Sequence, residues 1–377
     1  MDLRFTRNFD RELRTIRNTG ASMRPSRRRL TFLSAFGAAA ALLPAVTWGG
    51  AQQGNGSDGG EVAIYSARHY DTDRQLYDAF TRETGIRVRL IEGNADQLIA
   101  RIQSEGRNSP ADVLITVDAA RLARAKEAGL TAPHGSALIA QRVPAGLRDP
   151  DGHWFAVSQR ARVIMYDRER GAPEGLSRYE DLADPRFRGQ VCARSGSHPY
   201  NVGLVASVLA ANGPERTEEW VRGLVANMAR PPQGGDRDQF RAIPAGQCRL
   251  AIANTYYLGH YGRSEKPEDQ ALFRRIGVIF PNQAPGDRGT HVNISGAALV
   301  RTAPHREAAV RFLEYLTDAK AQELFALGNM EYPAVADAPL HPALAAMGAF
   351  RAEPIDTTGG AARAAEALQI LQRAGWR

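Results

Sequence analysis

The residues of this chain best suited to metal chemistry are four tyrosines and one histidine, found in three separate short segments. Tyr256 and Tyr257 are adjacent and close the apolar run Ala251-Ile252-Ala253, which is predicted to be a strand. Successive residues of a strand point to opposite faces, so one face cannot use both rings. At a strand terminus that constraint relaxes, and both phenols can turn towards a common cleft. Plain packing is the ordinary alternative, because tyrosine suits strands and adjacent pairs often simply fill space. His69-Tyr70 follows the predicted strand Glu61 to Tyr65, and Tyr200 follows the predicted strand Gly189 to Ala193. All three segments therefore fall at carboxyl ends of predicted parallel strands, the edge at which α/β folds bind ligands. A phenol ionises near pH 10, so several phenolates do not gather unaided. A trivalent hard cation supplies the missing charge and deprotonates its own ligands. Thiolates are absent from these turns, and ferric iron meets the demand best.

Strand–helix alternation sets the frame for these turns. After the strand at Glu61 to Tyr65, Asp71 or Thr72 is placed to cap a helix lined by Leu76, Ala79 and Phe80 and closed by Gly85. Ile86 to Ile91 reads as a strand, Ala95 to Glu105 as a helix capped by Asn94, Asp112 to Val117 as a strand, and Ala119 to Ala128 as a helix. This order implies a parallel, doubly wound sheet. Trp154 to Tyr166 is too long for one ordinary strand and reads as a crossover between two lobes. A second alternating set follows, with helices near Val202–Ala211 and Glu215–Met228 and a return strand at His291 to Val300. The C-terminal third is mainly amphipathic helix, at Glu307–Leu316, Ala319–Ala326 and Ala361–Gln372. Two α/β lobes joined by crossovers place a cleft between them.

The chain has 377 residues, of which 43% are hydrophobic and 24% charged, a globular composition long enough for two domains. A formal charge of +7 suggests nucleic acid, but its location does not. Residues 1–51 carry nine arginines against Asp2, Asp10 and Glu12, which leaves 39 basic and 38 acidic residues in the remainder. The basicity belongs to the leader, and no nucleic-acid partner is expected. That leader has Arg27-Arg28-Arg29 ahead of the apolar Leu30 to Val46, then small residues around Gly49-Gly50-Ala51. The order is that of an export signal cleaved near residue 51, with paired arginines like those of a twin-arginine signal. An uncleaved anchor is the alternative, although the run is short of the about 20 residues that span a bilayer. No later segment is long and apolar enough to span. Residues 52–60 form a polar tether whose Gly54-x-Gly56-x-x-Gly59 precedes the first strand, so it lacks the context of a dinucleotide fingerprint. Cys192 and Cys248 both stand at predicted strand starts; a disulfide and two buried thiols are equally open, and a structural zinc site would need four ligands.

The chain resembles the ferric-iron-binding periplasmic proteins of bacterial and cyanobacterial ABC importers, within the type 2 substrate-binding protein superfamily. The resemblance covers Glu61 to about Pro333. It rests on Tyr65-Ser66-Ala67-Arg68-His69-Tyr70, Ser109-Pro110-Ala111-Asp112-Val113-Leu114, Ala229-Arg230-Pro231-Pro232-Gln233-Gly234, Asn254-Thr255-Tyr256-Tyr257-Leu258-Gly259 and Gly289-Thr290-His291-Val292-Asn293-Ile294-Ser295-Gly296. It implies ferric iron held by Tyr70, Tyr200, Tyr256 and Tyr257, with His69 as a further ligand, and two lobes that close on the metal. It also implies delivery to an inner-membrane permease by a monomeric periplasmic carrier. The expected fold is α/β, each lobe a doubly wound sheet flanked by helices. The expected boundaries are 61–160 plus about 288–338 for the N-terminal lobe and 161–287 plus about 339–377 for the C-terminal lobe.

Other roles are weighed against these. Arg230 and Arg237 are placed either to offset phenolate charge or hold a synergistic anion such as carbonate, or simply to face solvent. Glu92 approaches the same cleft from the second strand. His260 and Tyr261, just past the tyrosine pair, are expected at solvent or a lobe edge. Ser197 and His198 suggest a nucleophile and base, but neighbours rarely present both groups to one atom, and no Gly-x-Ser-x-Gly elbow is present. Two further functions use the same tyrosines. One is an organic cation, thiamine- or polyamine-like, boxed by aromatic faces. The other is a mononuclear iron enzyme, which would need an open coordination position and typically two histidines with a carboxylate.

Overall fold

The computed structural model describes residues 60–68, 70–355 and 359–377. The export leader, the tether up to residue 59 and His69 lie outside the described residues. The N-terminal part runs β1 (Glu61–Ser66), α1 (Asp71–Thr84), β2 (Arg87–Glu92), α2 (Ala95–Glu105), β3 (Val113–Thr116), α3 (Ala119–Glu127), β4 (Thr131–Ala132) and α4 (Ala137–Arg142). The long strand β5 (Trp154–Asp167) leads to β6 (Val191–Cys192), α5 (Pro199–Asn212), α6 (Pro214–Ala226), α7 (Asp236–Ala242), β7 (Leu250–Asn254), α8 (Thr255–Arg263), α9 (Pro267–Arg275) and β8 (Ile276–Ile279). The chain returns through β9 (Val292–Val300), α10 (Arg306–Tyr315), α11 (Ala319–Glu323), β10 (Tyr332–Pro333), α12 (Pro342–Ala345) and α13 (Gly360–Arg373).

Local chemistry explains the element ends. Asn94 Oδ1 accepts the Asp96 N–H at 2.9 Å and opens α2, a cap worth about 1 kcal/mol. Gly85 ends α1 at φ 73°, a left-handed conformation open to glycine without Cβ strain. The residue ahead of α1 is Tyr70, with no side-chain cap bond, so the expected cap from Asp71 or Thr72 is not formed. The Tyr70 backbone is extended instead, which carries its ring out from the end of β1.

The strands follow the order β2-β1-β3-β9-β5-β7-β6. The first three are parallel, as the alternation implied, whereas β9 runs antiparallel to both β3 and β5. The sheet is therefore mixed, because the return strand enters it between two outgoing ones. β5 is the hinge of the architecture. Its first half, Trp154 to Ala161, pairs with β9; its second half, Arg162 to Asp167, pairs with β7 and β8. One strand thus belongs to two sheets, and its length is what lets it cross. β6, parallel to β7, has only two residues, shorter than the sequence suggests.

Each half has its own core. Phe80 and Phe312 meet edge-on at 5.1 Å beneath the first sheet, among Val62, Ile64 and Phe155. Trp220, Leu250, Ile252 and Trp376 fill the second. Burial of each large side chain is worth about 1.5–3 kcal/mol. The two-lobe periplasmic-binding-protein fold follows from these two sheets and two cores. The C-terminal helix α13 packs on α5 and α6 and also on α3. Among the described residues, no helix is long and apolar enough to cross a membrane.

Candidate metal centre

Each of the four tyrosines stands at the beginning of a helix. Tyr70 directly precedes α1. Tyr200 is the second residue of α5, after His198 and Pro199, and its N–H donates to His198 Nδ1 at 3.3 Å. Tyr256 and Tyr257 are the second and third residues of α8, which follows β7 without a loop. Tyr200, Tyr256 and Tyr257, expected in turns after strands, thus fall in first helical turns. The position matters chemically, because free N–H groups and the positive end of the helix dipole favour anions there.

The phenols converge. Tyr200 and Tyr256 share a hydrogen bond between their hydroxyls at 3.1 Å. The Tyr256 and Tyr257 rings lie 4.1 Å apart, tilted by 31°. Burial, followed by the Glu331 charge, raises the Tyr70 phenol; Arg160 and Arg68 pull it down, and Tyr200 pushes it up again. Burial, followed by Tyr70, Tyr200 and Tyr257, raises Tyr256 well above the ordinary phenol range. Burial also leads the rise at Tyr257, with Tyr200 next. Tyr70, from the first sheet, therefore lies within electrostatic reach of phenols from the second. In the free protein Tyr70, Tyr256 and Tyr257 are held neutral, and only a strong counter-charge would ionise them together.

Beneath the rings lies a floor of arginines, of which Arg68, Arg160 and Arg162 are buried and Arg194 is half-buried. Arg68 makes a two-pronged contact with Asp73 at 2.9 and 3.0 Å and donates to Glu331 at 3.0 Å. Arg160 reaches Glu331 at 3.3 Å, Ser295 at 2.7 Å and the carbonyls of Val117 and Ile294 at 2.6 and 3.0 Å. Arg162 binds Asp236 at 3.0 Å, Asn254 at 2.8 Å and Asn201 at 3.0 Å. Arg194 reaches the other Asp236 oxygen at 3.3 Å. Four guanidiniums thus meet three carboxylates, which leaves a positive surplus under the phenols. The guanidiniums also cover ring faces: Arg68 lies 4.8 Å from the Tyr70 centroid, Arg194 5.4 Å from Tyr200 and Arg237 5.0 Å from Tyr257. Sequence reading missed this floor. Its one signal was Arg160-x-Arg162, two charges on the same face of an otherwise apolar strand.

Other expected residues are placed elsewhere. Arg230 binds Gln247, the Asp238 carbonyl and Gln239, and none of its hydrogen bonds goes to a tyrosine. Glu92 is exposed at the end of β2, without a hydrogen bond or ion pair among the described residues. Tyr261 is buried edge-on against Phe240, not at a solvent edge, because it falls on the inner face of α8. His260 is half-buried and edge-on to Tyr256 at 6.3 Å; burial, then Arg263 and Arg237, lower its pKa to about 4. Ser197 Oγ pairs with Ser195 Oγ, while His198 Nδ1 accepts the Tyr200 N–H, so no nucleophile–base pair forms. Cys192 and Cys248 are bridged by a disulfide, with Cα atoms 5.9 Å apart. A cavity of about 390 Å³ lies between α3, α5 and α13, and its walls, among them Val202, Ala206 and Leu368, are largely apolar. No site tyrosine lines it.

Comparison with known proteins places this geometry in context. Residues 108–351 match the family described as bacterial extracellular solute-binding protein. Iron uptake protein A1 of Synechocystis sp. PCC 6803 is 50% identical over 319 residues, covering 84% of this chain and 88% of that protein. The Trichodesmium protein IdiA (FutA), solved with iron and citrate ligands, is 48% identical with a TM-score of 0.78, over 84% of this chain and all of that one (100%). Apo FutA2 from Synechocystis PCC 6803 is 46% identical with a TM-score of 0.78, over 84% and 99% of the two chains.

Proposed function

Because the chain belongs to the bacterial extracellular solute-binding protein family, we propose that it captures ferric iron in the periplasm and delivers it to an ABC permease in the inner membrane. The observation that carries this reading is the convergence of Tyr70, Tyr200, Tyr256 and Tyr257 from three helix starts over a positively charged floor. Iron is the cargo, and the four phenolates are its ligands. His69 is proposed as a fifth donor from the same segment as Tyr70.

The chemistry of capture follows from the phenols' environment. Tyr70, Tyr256 and Tyr257 are raised above the ordinary phenol range, burial leading in each case, so the empty cleft holds protonated hydroxyls. A trivalent ion displaces those protons, and the surplus of guanidinium charge then stabilises the phenolates left behind. Binding therefore releases about one proton for each phenol recruited. A synergistic anion, carbonate or a carboxylate, fills any position the side chains leave open. The proposed lobes are 61–160 plus about 288–338 and 161–287 plus about 339–377. Closure brings Tyr70 against the three phenols of the second lobe, so metal binding and closure are one event. The molecule acts as a monomer, is exported by the twin-arginine machinery, and is released near residue 51.

Two features favour iron over an organic cation such as thiamine or a polyamine. The ring faces that would box a cation already carry Arg68, Arg162, Arg194 and Arg237. The surplus positive charge beneath them repels an organic cation, which ionises no phenol, whereas a ferric ion generates phenolates whose negative charge offsets that surplus. A carrier is favoured over an iron enzyme because a phenolate-rich shell holds the ferric state instead of cycling it. The test is equilibrium loading of the purified protein, with bound metal measured by elemental analysis and released protons by potentiometric titration. One ferric ion per chain, with about three to four protons released per ion, is the expected outcome. Saturable binding of thiamine or spermidine without iron uptake would contradict it.

A further inference from the structure

Five consecutive residues, 327–331, touch both the helix that follows Tyr70 and the helix that carries Tyr256 and Tyr257. They begin in the π-helical turn Leu324–Gly328, which continues α11, and lead into β10. The carbonyls of Leu327 and Gly328 accept from Arg263 Nη1, on α8, at 2.8 and 2.7 Å. These carbonyls close a helical stretch that starts at Ala319, and such terminal carbonyls lack partners within the helix and favour a cation. Asn329 holds the start of α1: its Oδ1 accepts from the Thr72 hydroxyl, and its amide donates to Asp73 at 3.3 Å. Met330 is buried at φ 57°, a left-handed conformation uncommon for a residue with a Cβ. It packs on Gly259 of α8, where an added Cβ would stand 3.1 Å from that of Met330. Glu331 then accepts from Arg68 and Arg160 under the rings.

The elements joined here belong to different sheets. α8 grows out of β7, which pairs with the second half of β5. The turn leads into β10, which pairs with Ser158 and Gln159 in the first half. We propose that Arg263 is a positioning residue that latches α8 to the turn at 327–331 and so holds the tyrosine pair opposite Tyr70 while iron is bound. The inference rests on the ferric reading of the tyrosine cluster. None of the hydrogen bonds of Arg263 among the described residues goes to a phenol, so it acts on geometry and not on the metal. With the latch made, phenols from the two sheets keep one separation. With it broken, α8 swings away with its tyrosine pair and the metal escapes.

The test uses the full chain and its R263Q variant, whose shorter, uncharged side chain does not span to both carbonyls. The first arm needs no metal. Deuterium exchange of the iron-free protein is followed by mass spectrometry, and peptides covering 324–333 and 71–80 should exchange at least about threefold faster in R263Q, with β2 unchanged. In the second arm both proteins are loaded from ferric nitrilotriacetate, and loss of the visible band to excess EDTA is timed. R263Q should show the wild-type band position and one iron per chain, yet lose iron about five- to tenfold faster, with that ratio kept at high salt. Equal exchange in the two proteins overturns the latch, and equal release overturns its part in holding iron. A ratio that vanishes with salt, or a displaced band at full loading, also overturns the proposal, because Arg263 would then act through charge or on the ligand set. Absence of any band in wild type refutes the ferric reading itself, and the exchange arm still decides whether the turn is latched.

Discussion

Substitution of Glu331 by glutamine tests the charged floor in two opposite directions at once. Glu331 is fully buried and accepts from Arg68 at 3.0 Å, Arg160 at 3.3 Å and Ser158 at 2.6 Å. Removal of one charge from a buried cluster typically costs about 3–5 kcal/mol, and glutamine keeps the shape and one acceptor, so about 3 kcal/mol is expected. Unfolding entropy is about 2.1 cal/mol/K per residue, or about 0.65 kcal/mol/K over the roughly 300 folded residues, so Tm should fall by about 5 °C. The phenol should respond the other way. After burial, Glu331 is the chief cause of the raised Tyr70 pKa, while Arg160 and Arg68 oppose it. Without Glu331 those two guanidiniums are opposed only by burial and Tyr200, and Tyr70 ionises at lower pH. Calorimetry gives the first quantity, and ultraviolet absorbance of phenolate in the iron-free protein gives the second. Lower stability together with an earlier Tyr70 titration is the expected pair. Lower stability with an unchanged titration would refute the electrostatic argument, because Glu331 would then act only as a structural tie.

Acid should weaken the protein through two histidines. Burial, reinforced by Arg194 at His198 and by Arg263 at His260, holds both near a pKa of about 4. A folded pKa below the ordinary value gives stability that is present above about pH 6.5 and lost as the pH falls towards about 4. Thermal unfolding of the iron-free protein between pH 7 and 4 should show this loss, and a His198→Gln, His260→Gln double variant should flatten it. The disulfide closes a sequence separation of 56 residues, for which chain entropy gives up to about 4 kcal/mol. A Cys192→Ala, Cys248→Ala double variant should therefore unfold at lower urea, and reductant should shift wild type to match. An unchanged midpoint would mean that the bridge constrains nothing in the unfolded chain.

The candidate site is legible in the sequence because its chemistry is unusual. Four phenols at strand ends have few explanations, and tyrosine at such ends is visible in one dimension. The sequence places Tyr256 and Tyr257 at the end of a strand, and β7 does end at Asn254, although the pair itself opens α8. The long run at 154–166 reads as a crossover, and β5 does change sheets, between Ala161 and Arg162. The floor was illegible for a physical reason. A buried arginine looks in sequence like any exposed one, and only its partners distinguish it. For Arg68 and Arg160 the partner is Glu331, 263 and 171 residues away. The same holds for Arg230, which only the fold shows to be engaged by Gln247 and Gln239.

The most direct measurement is the visible spectrum of the protein with ferric iron, compared with that of the Tyr256→Phe, Tyr257→Phe double variant. Ferric phenolate absorbs in the visible through transfer of charge from ligand to metal, and no other group in this chain does so. Wild type should give a coloured complex at one iron per chain. The double variant, deprived of two of the four convergent phenols, should lose much of the band and bind iron far more weakly. A colourless wild type, or a double variant with unchanged band and affinity, would contradict the assignment of these tyrosines to the metal.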